Sequence, residues 1–273
     1  MTALIALADS GVQKDTDRVV EAFLGLRSRA ALDAVPVLLK HPHVSTMQQA
    51  ELVRSCVNYL LDPPAALDPL VAAVTAEGNP TVTRALLELL ATPGVVGGPK
   101  AAALVLARLT DEHDDQRLPA TAAAGVLRLE SAVAVLTKRV TSASKTEERA
   151  TALRSLGRIG AKEAVPLAKA VLTGSAEKLP GGDRVRREAF VALAALDPTA
   201  AVAAAPEWLA AGDDELWRRA VRAFGTTAGG ARQVGRLAVA GKLPPALRPE
   251  VRAVLRRHAG DAAAAKLYAE LAR

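Results

Sequence analysis

The chain has 273 residues and a formal net charge of +6, and half of its residues are apolar although only 3% are aromatic. Interior volume must therefore come from Ala, Leu and Val, which suit closely packed helices and argue against an all-β fold. The single cysteine excludes an internal disulfide and every CxxC metal or haem signature. The sequence has no uninterrupted run of about 18 apolar residues, so it predicts no membrane span.

Apolar positions three and four residues apart predict pairs of helices along the whole chain. The eight predicted ranges are 16–40, 45–76, 80–110, 118–140, 146–172, 183–211, 214–241 and 246–272. Ser45, Asn79, Asp183 and Asp214 are placed to cap helix N-termini after turn-forming stretches. A period of about 30 to 40 residues is typical of an α-solenoid. The sequence therefore predicts an all-α chain organised as a single domain over 1–273.

The clearest of these segments is RATALRSLGRIGAKEAVPLAKAVL, residues 149–172. It predicts two short helices broken at Gly157 and Gly160. We expect a proline early in the second helix of several pairs. Few backbone N–H groups there have a partner four residues back, so the missing donor costs little. The prolines placed in this way are Pro36, Pro69, Pro166 and Pro206.

That segment, extended to ERATALRSLGRIGAKEAVPLAKAVL, resembles a HEAT repeat of the PBS-lyase type. RREAFVALAALDPTAAVAAAPEWL and WRRAVRAFGTTAGGARQVGRLAV look like further copies. The resemblance implies a right-handed, armadillo-like α-solenoid of about eight HEAT-like helical pairs, with first helices in an outer layer and second helices in an inner, concave one.

Two other stretches, ELVRSCVNYLLDPPAALDPLVAAV and AGKLPPALRPEVRAVLRRHAGDAAAAKLYAELAR, are similar to the helical-repeat region of large planctomycete-type membrane-bound dehydrogenases. In those proteins the repeats commonly precede a haem-binding domain. The likeness implies the repeat portion of a larger redox protein, periplasmic if that protein is exported. The chain contains no CxxCH, so the redox chemistry does not carry over to these residues.

A stack of helical pairs presents a long curved surface, which predicts a non-enzymatic interaction scaffold for a macromolecular partner, without a cofactor or metal. Residues 178–273 hold 16 Lys/Arg against 10 Asp/Glu, whereas residues 1–177 hold 19 of each. An acidic protein partner fits this charge. We expect a soluble chain, cytoplasmic by default. The candidate partner contacts, all in second helices and adjoining turns, are Lys138, Arg139, Lys162, Lys169, Arg232 and Arg236.

The stretch EWLAAGDDELWRRAVRAF, residues 207–224, supports an alternative function. It is similar to a segment of HEAT-like DNA glycosylases in which aromatic and basic residues line a groove against DNA. The likeness implies nucleic-acid contacts at Trp208, Trp217, Arg218 and Arg219, without the upstream catalytic Asp helix of those enzymes. The competing interpretation is that the tryptophans fill a seam between repeats while the arginines stay solvated.

Four further features have simpler interpretations. The acidic stretch DEHDD, residues 111–115, is either a divalent-cation site or a solvated turn between helices. Cys56 has apolar neighbours, which predicts a buried thiol. GRLAVAGKL, residues 235–243, lacks the spacing and the Ser or Thr of a phosphate-binding loop. The histidines form no HExxH or His-Glu pair, which disfavours a di-iron centre.

Overall fold

The computed structural model describes residues 13–25, 29–59, 67–173, 182–210 and 213–272. Every regular element in these ranges is helical, which confirms the all-α prediction, and none of these helices is both long and apolar enough to cross a bilayer. The 16 α-helices are α1 (Gln13–Gly25), α2 (Arg29–Leu38), α3 (Thr46–Ser55), α4 (Asp68–Glu77), α5 (Pro80–Leu90), α6 (Pro99–Arg108), α7 (Asp114–Val126), α8 (Val133–Ser142), α9 (Thr146–Ile159), α10 (Val165–Leu172), α11 (Gly182–Leu196), α12 (Pro198–Ala210), α13 (Asp214–Phe224), α14 (Ala228–Val239), α15 (Arg248–Arg257) and α16 (Ala262–Glu270).

Helix starts follow the capping residues closely. Ser45 caps α3 through a reciprocal capping box, and Asn79 accepts hydrogen bonds from two backbone N–H groups at the start of α5, as predicted. Asp213 caps α13 in place of the predicted Asp214. Asp183 lies inside the first turn of α11, because that helix begins one residue earlier at Gly182.

The proline prediction is correct for two residues and wrong for two. Pro69 and Pro166 lie in the first turns of α4 and α10. Pro36 and Pro206 lie well inside α2 and α12, because those helices begin earlier, at Arg29 and Pro198.

The helices form two compact units, unit 1 (Met1–Ala132) and unit 2 (Val133–Arg273). In unit 1, α1, α3, α5 and α7 contact one another in succession, and α2, α4 and α6 do the same. In unit 2, α9, α11, α13 and α15 form one such row, called the odd row below, and α12, α14 and α16 form the even row. Each unit therefore packs alternate helices side by side. The single domain over 1–273 stays a prediction.

Gly157 has a different role from the predicted helix break. Helix α9 continues through it to Ile159 and ends at Gly160, whose φ of 87° is in the left-handed region that favours glycine. A Cβ on Gly157 would lie 3.0 Å from the Cα of Ala192 in α11. The prediction of a break at Gly157 is wrong because this glycine allows two helices to approach closely inside unit 2.

Candidate functional site: an arginine-lined groove

A surface groove of about 580 Å³ lies along α9, α11 and α13 of unit 2. Arg154 and Arg158 line it from α9, and Arg219 and Arg222 line it from α13. Residues four or three positions apart share one face of a helix, so each helix directs two arginines towards the groove. Helix α11 contacts both α9 and α13 and therefore forms the floor.

The floor of the groove is built from small apolar residues. Helix α11 contributes Ala192 and Ala195, and the flanking helices contribute Gly157 and Ala223. Ala192 is buried and packs against Gly157. Because these side chains are short, the arginines on either side stand above the floor and leave open space between them.

One buried carboxylate joins the three helices. Glu188 of α11 is only 3% exposed, and Arg154 Nη2 donates to its Oε1 over 2.9 Å. Arg154 Nε also donates to Oε2 over 3.3 Å, and Arg219 Nη2 donates to the same oxygen. Guanidinium groups from α9 and α13 therefore meet above α11. We call this arrangement the Glu188 clasp.

The Glu188 clasp keeps its carboxylate ionised. Burial acts to raise the pKa of Glu188, but hydrogen bonds and charges from Arg154 and Arg219 outweigh it and lower the pKa. The hydrogen bond to Glu188 in turn raises the pKa of Arg154. At neutral pH the clasp is thus one anion held by two cations.

The other two arginines of the groove have no such partner. The guanidinium groups of Arg158 and Arg222 make no hydrogen bond or ion pair with any described residue, and both side chains are exposed. Although Arg158 is exposed to solvent, desolvation by the groove is the main cause that lowers its pKa; the charges of Arg154 and Arg219 act in the same direction, and the charge of Glu188 opposes them. Arg158 nevertheless stays protonated at neutral pH. Its charge and that of Arg222 are available to an external anion.

The predicted partner contacts in second helices lie away from this groove. Lys138 on α8, Lys162 in the short turn before α10 and Arg236 on α14 are exposed and form no ion pair within the described ranges. These three remain accessible candidates for a contact outside the groove.

The remaining three predicted contacts are engaged or buried. Lys169 Nζ lies 2.8 Å from the Asp197 carboxylate, and Arg232 Nη1 lies 2.5 Å from that of Asp261. Arg139 is only 9% exposed, so its side chain offers little surface to a partner.

The predicted nucleic-acid contacts separate in the structure. Trp217 is 1% exposed and packs edge-to-face against Phe190 of α11, with ring centroids 5.3 Å apart. It fills the seam between α11 and α13 and has no face free for a base. Arg218 Nη1 lies 3.4 Å from Glu215, and its Nε lies 3.6 Å from Glu250 of α15.

Arg219 lines the groove, whereas Trp217 and Arg218 do not. Trp208 lies in α12, but its side chain is outside the described residues. Sequence reasoning missed Arg154, Arg158 and Arg222. The signal that could have found them is the pairing of arginines at helical spacing on two first helices, α9 and α13, that flank a third, α11.

The acidic stretch 111–115 is occupied by local interactions. Asp111 accepts hydrogen bonds from the His113 backbone N–H and from Arg108, and these lower its pKa. Asp114 pairs with Arg117. Across the described part of the chain, no group of three or more His, Cys, Asp or Glu side chains is arranged to hold a metal ion.

Cys56 is buried, as predicted, and burial raises the pKa of its thiol to about 12.

No protein-family model matches this sequence, and a search of curated proteins finds no match.

Proposed function

We propose that this chain is a non-enzymatic interaction scaffold whose arginine-lined groove binds an acidic segment of a protein partner. The scaffold would be an α-solenoid of about eight HEAT-like helical pairs. Support for this stacking comes from the contacts within each unit, where a helix packs on its neighbour and on the helix after that. Each of the eight ranges predicted from the sequence also overlaps two α-helices, with ends that differ by up to four residues.

The observation that carries the function is the pair of guanidinium groups of Arg158 and Arg222, which make no hydrogen bond or ion pair with the described residues. Arginine presents a planar fork of N–H donors that fits a carboxylate through two parallel hydrogen bonds. The small floor residues leave room for an extended segment of a partner. Most of the groove lies in the C-terminal third of the chain, and α9 lies just before it. The excess of positive charge in the C-terminal third would also attract an acidic partner from solution.

This proposal places binding on the odd row of unit 2, in first helices. The HEAT resemblance instead implies contacts from second helices. Lys138 and Arg236 represent that alternative, since both are exposed, unpaired among the described residues and outside the groove. The two locations can be compared directly because each offers two cations that can be neutralised without breaking an observed ion pair.

The test uses a fluorescein-labelled ten-residue glutamate peptide and fluorescence anisotropy at about 50 and 150 mM salt. The double variant Arg158→Gln/Arg222→Gln should weaken binding by at least about tenfold, because each charge-assisted hydrogen bond contributes about 1.5–3 kcal/mol. The matched control, Lys138→Gln/Arg236→Gln, removes the same charge and should change the dissociation constant by less than about twofold.

Four results would reject the proposal. A larger loss of affinity in the control variant would place binding on second helices. Equal losses of affinity in the two double variants would show that binding depends only on net charge. If the native protein binds neither the peptide nor an acidic protein, the groove is not an acidic-segment site. Preference for a single-stranded oligonucleotide over the peptide would favour the nucleic-acid alternative, in which Arg219 is the predicted contact that lines the groove.

A further inference from the structure

The groove repeats the layout of the Glu188 clasp one helical turn later, with one difference. In the clasp, Arg154, Glu188 and Arg219 come from α9, α11 and α13 in turn. One turn further along the same three helices lie Arg158, Ala192 and Arg222. The second set has the same two flanking cations and a methyl group where the first has a carboxylate.

Comparison with the clasp shows that the second set lacks a central anion. Arg154 and Arg219 both reach Glu188, so arginines from α9 and α13 are long enough to meet above α11. Arg158 and Arg222 start from the next turn of the same helices, and neither has a partner among the described residues. Ala192 supplies no anion and, with Ala195 beside it, leaves the space above the floor open.

We propose that this position holds a phosphorylated side chain of the protein partner, with the phosphoryl group between Arg158 and Arg222 in the place that a carboxylate occupies in the clasp. This inference rests on the proposed function and specifies its ligand. It makes partner binding dependent on phosphorylation.

The charge of the groove selects a phosphomonoester over a carboxylate. The four lining arginines face two lining carboxylates, Glu188 and Glu215. Glu188 is taken up by the clasp, and Glu215 is paired with Arg218 outside the lining. Arg158 and Arg222, which lie outside the clasp, carry two positive charges, and a phosphomonoester carries about −1.5 to −2 at pH 7, whereas a glutamate carries one charge. Its three oxygens also accept from two guanidinium forks at once.

The test compares three synthetic peptides that differ at one central position, which is serine, glutamate or phosphoserine, within the same acidic sequence. Binding is measured by isothermal titration calorimetry at pH 7.5. We expect the phosphoserine peptide to bind at least about tenfold more tightly than the glutamate peptide, and this ratio to fall towards one in Arg158→Gln/Arg222→Gln. The ratio should also shrink below pH 6, where the phosphate loses its second charge.

A second variant supplies the missing carboxylate from the protein itself. Ala192→Glu would complete a second clasp and should abolish the preference for phosphoserine. Because Ala192 is buried, Ala195→Glu is made in parallel at a half-buried floor position. Circular dichroism and thermal unfolding confirm that each variant folds before its binding is interpreted, and Ala195→Glu alone suffices if Ala192→Glu does not fold.

The outcomes separate the two proposals. Equal affinity for the phosphoserine and glutamate peptides overturns the phosphorylation inference and leaves the acidic-segment scaffold standing. Failure of all three peptides to bind overturns both. Equal competition by a single-stranded oligonucleotide of the same charge overturns the inference as well, because a phosphodiester carries one charge per phosphate and would not require the dianion site. Loss of phosphoserine preference in Ala195→Glu, with retained folding, supports the site.

Discussion

Replacement of the buried carboxylate in the clasp, Glu188→Gln, should destabilise unit 2 by about 2 kcal/mol. The change keeps the shape of the side chain and removes its charge, so Arg154 and Arg219 lose their common anion. Hydrogen bonds to charged groups contribute about 1.5–3 kcal/mol, and breaking a fully buried ion pair costs about 3–5 kcal/mol. Both arginine side chains are 32% exposed, so water recovers part of that loss.

Unit 1 offers a matched control in Glu88→Gln. Glu88 Oε2 lies 3.2 Å from Arg54 Nε, and its Oε1 lies 2.8 Å from Arg84 Nε. Arg54 and Glu88 are 34 residues apart, the same separation as Arg154 and Glu188. The Glu88 side chain is 35% exposed, however. We therefore expect Glu88→Gln to lower the free energy of unfolding by less than about 1 kcal/mol.

Urea unfolding followed by circular dichroism, over a range of pH, measures both losses. The clasp lowers the pKa of Glu188 in the folded protein, so its stabilisation is complete above the unfolded pKa of about 4.3 and disappears as pH falls through the lower, folded value. The difference between native protein and Glu188→Gln should therefore shrink in acid. Equal losses for Glu88→Gln and Glu188→Gln at neutral pH, or a Glu188→Gln deficit that persists in acid, would refute this reasoning.

Three shorter predictions test packing, reactivity and capping. Gly230→Ala should lose about 1–3 kcal/mol of stability in urea, because an added Cβ would overlap the backbone carbonyl oxygen of Phe224. Gly229→Ala would make only ordinary van der Waals contacts with Arg232 and Thr227 and should be neutral or stabilising by up to about 1 kcal/mol; equal urea midpoints for the two variants would contradict this. Cys56 should react with an aromatic disulfide reagent at pH 8 only after unfolding, since its thiol is buried with a pKa of about 12, and rapid reaction of the native protein would disprove it. Ser45→Ala should lower stability by about 1 kcal/mol through loss of the capping box, and an unchanged unfolding curve would show that the cap contributes nothing.

Local sequence signals predicted the helices well. The spacing of apolar residues located two helices that overlap each of the eight ranges, and side chains that satisfy free N–H groups marked starts such as Ser45 and Asn79. The prediction failed at Gly157, where the same residue type serves a contact between helices. A glycine signal alone does not distinguish a turn from close packing, because the distinction depends on Ala192 of another helix.

The groove depended on information that local patterns do not contain. The excess of positive charge in the C-terminal third was visible in the sequence, but the clasp depends on which turns of α9, α11 and α13 lie side by side. Glu188 looks like an ordinary residue of an amphipathic helix until Arg154, 34 positions earlier, and Arg219, 31 positions later, are placed against it. The resemblance to HEAT repeats predicted contacts from second helices, whereas the arginines that are unpaired among the described residues lie on first helices.

The two units show why a groove of this kind forms in unit 2. In unit 1 the second arginine on Glu88 is Arg84, from the same helix, so the ion pairs tie two helices together. In unit 2 the second arginine on Glu188 is Arg219 of α13, the next helix of the odd row, so α9, α11 and α13 are joined. A carboxylate held from both sides fixes two flanking helices at a spacing that arginines can bridge. The next turn of these three helices has the same spacing. Because its central residue is Ala192, the cations Arg158 and Arg222 surround a position that holds no anion from the described residues. The stabilising contact and the proposed binding site are thus consecutive turns of one arrangement.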